Sequence, residues 1–195
     1  MPGIKMSEVT NLKKLVSILL AIVLLAAAAG CGSQDGGSSQ PAAKDYTAIL
    51  VGARDEEANQ YNPVIGKGED GKLTLTHNPN EADADGAQGM IEMTLEVMGL
   101  QEQQIEDLAL SSSLMNISAY CVAIVKPAQG SGQAVAEALQ NYLEQQQKSF
   151  ENYLPDQYQV TKDAKLETLK SGEVVLVMSQ NAAEIFEKIQ KEIEK

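Results

Sequence analysis

Fifteen residues, Leu15 to Ala29, decide how much of this 195-residue chain can enter a fold. They are apolar apart from Ser17 and follow a basic segment carrying Lys5, Lys13 and Lys14. Small residues close the stretch, in Leu25-Ala-Ala-Ala-Ala-Gly-Cys31. A basic start, an apolar stretch of about 7–15 residues and small residues at the cut are the layout of a secretory signal. An uncleaved spanning helix needs closer to 20 apolar residues and fits less well. The organisation expected is a cleaved signal over residues 1–30, a tether over 31–45 and one folded domain over 46–195. Gly32 to Lys44 is rich in Gly, Ser and Gln. Such a linker reaches roughly 5–6 Å × √n, or about 20 Å for thirteen residues.

The end of the signal, Ala28-Ala29-Gly30-Cys31, resembles the lipobox of bacterial lipoproteins, with Ala28 where Leu is preferred. That resemblance implies that Cys31 is diacylated, becomes the new N-terminus, and makes the membrane a partner from its extracytoplasmic face. Two acyl chains hold a protein down where one gives only reversible binding. Removing residues 1–30 takes away Lys5, Lys13, Lys14 and Glu8, leaving 12 basic and 26 acidic residues, a net charge of −14. An acidic body is repelled by an anionic leaflet, so lipid rather than a basic patch must anchor it. The same charge argues against nucleic acid, which requires a basic surface to displace counterions.

Only two cysteines exist, and acylation would consume the first. Cys121 then has no internal partner, so no disulfide scaffold is expected. It lies in the apolar run Ala119-Tyr-Cys-Val-Ala-Ile-Val125 and reads as a small buried hydrophobe rather than a nucleophile. His77, the one His, lies in a polar stretch with nothing to bring it to Cys121. One His and one spare Cys leave no zinc-type ligand set.

Beyond the tether, the pattern predicts alternating strands and helices. Tyr46 to Ala53 reads as a short buried strand, and Leu73 to Thr76 as an edge strand after the turn Glu69-Asp-Gly-Lys72. Met90 to Met98 has helical spacing with Gly99 as its stop. Leu108 to Met115 and Ser118 to Lys126 read as two strands joined tightly at Asn116, with Pro127 ending the second. Gln133 to Leu154 carries Val135, Leu139, Tyr142, Leu143, Phe150, Tyr153 and Leu154 on one stripe, and Pro155 stops it. Lys165 to Lys170 and Glu173 to Ser179 flank Ser171-Gly172, a two-residue hairpin signal. Asn181 is placed to cap a last helix whose inner face is Ile185, Phe186, Ile189 and Ile193. The fold class expected is α+β: a mixed or antiparallel sheet, helices mostly on one face, and a C-terminal β-α-β-β-α unit from Ser118.

Three segments carry a wider resemblance: Leu110-Ser-Ser-Ser-Leu-Met-Asn-Ile-Ser-Ala-Tyr120, Lys148-Ser-Phe-Glu-Asn-Tyr-Leu-Pro155 and Ser171-Gly-Glu-Val-Val-Leu-Val-Met-Ser179. Together with the N-terminus, they resemble a family of Gram-positive lipoproteins known as domain of unknown function 4358, over roughly residues 90–194. The resemblance implies location and fold; it brings no catalytic, ligand or cofactor residues.

Among the remaining constellations, Glu81, Asp83, Asp85 and Glu92 around Gly86 match the ligand spacing of an EF-hand calcium loop. Glu stands at the first position, Gln88 replaces an apolar residue and no helix enters the loop. The alternative is an acidic solvated turn favouring the start of the following helix. Arg54, the sole Arg, precedes Asp55, Glu56 and Glu57. It is expected to pair with one of these acids, with bidentate capture of a carboxylate or phosphate as the alternative. Ser111-Ser-Ser113 lacks a nucleophile elbow and reads as strand polarity; Gly130-Ser-Gly132 lacks the P-loop Lys and reads as a loop and cap. No cofactor is indicated. The function expected is a membrane-tethered extracytoplasmic binding or interaction module, with an envelope protein as a further partner and no enzymatic activity. The alternatives are a small carboxylate-using enzyme and a structural envelope component.

Overall fold

Alternation along two neighbouring strands, β4 (Cys121–Pro127) and β6 (Val174–Met178), sorts the apolar residues onto two faces. Cys121, Ala123, Val125, Val174, Leu176 and Met178 point into one core, and Val122, Ile124, Val175 and Val177 into the other. Strands apolar on both faces must be covered on both. In the computed structural model, which describes residues 44–115 and 117–195, they are. The segment read as a signal, Cys31 and the expected tether as far as residue 43 lie outside the described residues.

Among the described residues there are six α-helices and six strands. In chain order they are α1 (Tyr46–Ala53), α2 (Glu56–Tyr61), β1 (Val64–Lys67), β2 (Leu73–His77), α3 (Ala84–Met98), β3 (Ile105–Ser112), β4, α4 (Gly132–Phe150), α5 (Pro155–Lys162), β5 (Lys165–Thr168), β6 and α6 (Ala182–Ile193). The sheet order is β2-β1-β3-β4-β6-β5 with every pairing antiparallel, an α+β fold. Helices α3, α4 and α5 cover one face and α1 and α6 close the other, so the second face is more fully covered than the sequence predicts. No helix among the described residues is long and apolar enough to cross a membrane.

The segment read as a first strand is helix α1. Asp45 caps it, its Oδ1 accepting the Ala48 N–H at 2.9 Å, and Tyr46, Leu50 and Ala53 form the buried stripe. An apolar run of eight residues has no clear period, and packing against α6 and strands β3 and β4 decides its form. Lys44 reaches the Ile193 carbonyl, so the fold already includes the last two residues assigned to the tether. Strand β1, which the sequence reading leaves unassigned, inserts between β2 and β3. That puts β2 at the sheet edge, as expected.

Other boundaries shift for local reasons. Helix α3 starts at Ala84, earlier than expected, because Asp83 accepts the Gly86 N–H at 2.7 Å; it stops at Gly99, φ 67°, as expected. Helix α4 ends at Phe150 and leaves Tyr153 exposed. Pro155 does more than stop it: Pro opens α5, where its missing N–H is no loss. Strands β3 and β4 are joined by residues 113–120, longer than the tight join expected at Asn116. The β5–β6 loop has three residues rather than two: Leu169 and Glu173 still pair, and Gly172, φ 98°, donates to the Leu169 carbonyl. The β1–β2 turn repeats that geometry with Gly71, φ 77°. Asn181 sits at the start of α6 but makes no side-chain cap bond. Its four expected core residues are buried, each contributing about 1.5–3 kcal/mol by burial.

Candidate functional site

The break between α1 and α2 places Arg54 at one end of the sheet, on the α1/α6 face. Its backbone N–H still donates to the Leu50 carbonyl, while Asp55 turns the chain into α2 by accepting the Ala58 N–H at 2.7 Å. The side chain is only 5% exposed. Nε donates to Asn59 Oδ1 at 2.5 Å, Nη1 to Ser111 Oγ at 2.7 Å and Tyr120 OH at 3.0 Å, and Nη2 to the Asn62 carbonyl at 2.7 Å. Every one of these acceptors is neutral. Arg54 makes no ion pair with a carboxylate among the described residues, so the expected pairing with Asp55, Glu56 or Glu57 does not form.

A guanidinium keeps its charge at any ordinary pH. Burying a charge carries an effective penalty of several kcal/mol, and neutral hydrogen bonds offset only part of it. Four of the five N–H groups are used, leaving one on Nη2. Ser111 and Tyr120 accept from Arg54, so each hydroxyl must turn its own proton elsewhere. Burial pushes the Tyr120 phenol above its ordinary range, with Arg54 acting against it, and the phenol stays a proton donor.

Extending the β4–β6 register from Cys121↔Met178 sets Tyr120 opposite Ser179. Ser179 is 8% exposed, and its Oγ has no hydrogen-bond partner among the described residues. These groups meet at an open groove of about 350 Å³, lined by Arg54, Glu57, Tyr61, Tyr120, Gln157 and Ser179 among others. Gln157 is fixed on one side, its Oε1 accepting the Ala119 N–H at 2.8 Å. Tyr61 and Met115, 64% and 65% exposed, form an apolar rim, and Leu114 and Ile117 project from the same 113–120 loop. The arrangement offers an anion one guanidinium backed by hydroxyl donors, beside apolar surface.

Elsewhere the groups singled out in the sequence stay apart. Cys121 is fully buried in the other core, and burial alone pushes its thiol up. His77 lies three strands away, its Nε2 donating to the Asn59 carbonyl at 2.7 Å. The calcium spacing is not gathered into a loop. Asp85 and Glu92 both lie in α3, seven residues and so about 10 Å apart along its axis. Asp83 caps that helix, and Glu92 accepts from Gln88. Among the described residues no three acidic, His or Cys side chains form a metal-holding group. Ser131 stands at the start of α4 without a cap bond.

Sequence reasoning found Arg54 but missed its setting, since Ser111 and Tyr120 lie 57 and 66 residues away. It also missed a second buried polar pair at the far end of β6. Tyr46 OH donates to Glu173 Oε1 at 2.7 Å, about 20 Å of strand from Ser179. Burial pushes the Glu173 carboxyl up, but Ser171, Tyr46 and Lys44 outweigh it and hold it below the usual range.

Residues 87–180 match the family model described as a domain of unknown function, DUF4358. The matched segment supplies Tyr120, Gln157 and Ser179 to the groove and Ser111 beneath Arg54, whereas Arg54, Glu57 and Tyr61 come from outside it. Neither the curated proteins nor the solved structures include a match to this chain.

Proposed function

We propose that this chain is a binding module held at the outer face of the membrane by diacylated Cys31, and that its ligand enters the Arg54 groove as an anion. The tethering half rests on the basic, apolar and small-residue layout that ends at Cys31. The binding half rests on one observation: a buried guanidinium with no carboxylate partner among the described residues, at the floor of an open groove. Binding is favoured over catalysis because the groove's polar lining consists of donors, amides and acids, with Cys121 in the other core and His77 behind Asn59 rather than in the lining. Exposed Leu114, Met115 and Ile117 beside the groove favour, as a second reading, an envelope protein seated on that loop.

Two experiments test the two halves. Radiolabelled palmitate should enter the wild-type protein and not Cys31→Ala; label in the variant would overturn the lipid anchor. For the groove, melting of the full-length chain in detergent is followed with acetate against chloride at matched ionic strength. A carboxylate at tenfold excess over its Kd stabilises by about 1.4 kcal/mol, a rise of roughly 3–6 °C. Arg54→Gln, measured against its own baseline, should lose the rise. A shift equal in both chains, or none in either, would refute an anion site at Arg54.

A further inference from the structure

Building on the anion site proposed above, the geometry points to a zwitterionic ligand of the α-amino-acid class, free or as a short peptide, with an apolar side chain. The groove carries charges of both signs that do not reach each other. Arg54 lies at its floor, and Asp55 and Glu57 line it without forming an ion pair to Arg54. A ligand with one negative and one positive end can satisfy both, its carboxylate toward Arg54, Tyr120 and Ser179 and its ammonium toward Glu57. Asp55 is less available, because its Oδ1 already caps α2.

Three further observations narrow the class. The rim acids and the acidic body disfavour polyanions, so a phosphate-bearing ligand meets repulsion that a monocarboxylate escapes. Exposed Tyr61 and Met115 border the groove and suit an apolar side chain. The volume, about 350 Å³, has room for an amino acid or dipeptide and none for a folded domain. Ser179 supplies the independent sign that something polar is missing there. Its hydroxyl is more than nine-tenths buried, lines the groove, and has no partner among the described residues.

Isothermal titration of the full-length chain in detergent tests this with leucine, alanyl-leucine, N-acetyl-leucine, leucinamide, acetate and phosphate. Leucine or alanyl-leucine should bind, and the better of the two tells a free amino acid from a peptide. N-acetyl-leucine, which lacks the cation, and leucinamide, which lacks the anion, should each bind at least about tenfold more weakly, the scale of one lost charge-assisted contact. Ser179→Ala, which removes a hydroxyl with no partner in the described protein, should keep the fold and weaken leucine about tenfold. Glu57→Gln, at an exposed position, should erase the preference for leucine over N-acetyl-leucine. If N-acetyl-leucine and acetate bind as tightly as leucine, the zwitterion is wrong and the anion site stands. If no carboxylate binds, both fall.

Discussion

Gly66, in the strand the sequence left unassigned, offers the sharpest test of how α1, β1 and β2 fit together. A Cβ added there would lie 2.7 Å from Thr76 Oγ1, 2.9 Å from Thr76 Cγ2 and 3.0 Å from Thr47 Oγ1. Those two hydroxyls bond each other at 2.7 Å and join α1 to the edge of the sheet. Gly66→Ala therefore forces a branched side chain to move, and overpacking of this kind costs about 1–3 kcal/mol. For a domain of about 150 residues, that lowers the melting temperature by roughly 2–4 °C per kcal/mol. Thr76→Ala alone loses the bond to Thr47 and a long one to the Val64 carbonyl at 3.4 Å, about 0.5–1.5 kcal/mol each at most, but removes both of the closest atoms. In that background Gly66→Ala should cost markedly less, with a residue of strain against Thr47. Urea unfolding of the four chains of this double-mutant cycle measures the coupling. A neutral Gly66→Ala, or the same cost in both backgrounds, would show that Gly66 of β1 does not sit against Thr76 of β2 as described.

Three more outcomes follow from other parts of the fold. Asp83→Ala should lose an N-cap worth about 1 kcal/mol, and calcium and magnesium at matched ionic strength should shift the wild type equally; a calcium-specific rise lost in the variant would restore the metal loop. Glu173 is held below the usual carboxylate range, so its contribution is present above the unfolded value of about 4.3 and is lost as pH falls through the folded one. Wild type should therefore lose more stability between pH 7 and 3 than Glu173→Gln, and parallel acid limbs would contradict this. Thiol reagents should label Cys121 slowly in the native chain and rapidly in denaturant; equal rates would place it at the surface.

What the sequence carried well was periodicity strong enough to survive on its own. The α4 stripe from Val135 to Phe150 and the inner face of α6 were both visible, as was the Gly99 stop. Eight apolar residues from Tyr46 have no such signature, and only Asp45 before them hinted at a helix. Strand β1 is four residues interrupted by Gly66, too short to register against its neighbours. Pro155 is ambiguous in one dimension because the same ring ends one helix and begins another. The groove was hidden for a different reason. Arg54 next to three acids suggests a local ion pair, whereas the fold turns the side chain toward Ser111 and Tyr120. Ser179 signals nothing until the β4–β6 register sets it beside Tyr120.

The pairing of α1 with α6 has a consequence for timing. Leu50 and Ile189, both wholly buried in the same core, are about 140 residues apart in a chain that emerges N-terminus first. Until Ala182–Ile193 has been made, Val122, Ile124, Val175 and Val177 have no helix α6 to cover them. Contacts this distant along the chain form late and slowly. A chain synthesised as far as β6 is still open on one side, with Leu50 lacking Ile189 to pack against. The two-faced core is thus withheld until α6 has been made, and α1, although synthesised first, is among the last elements to be fully packed.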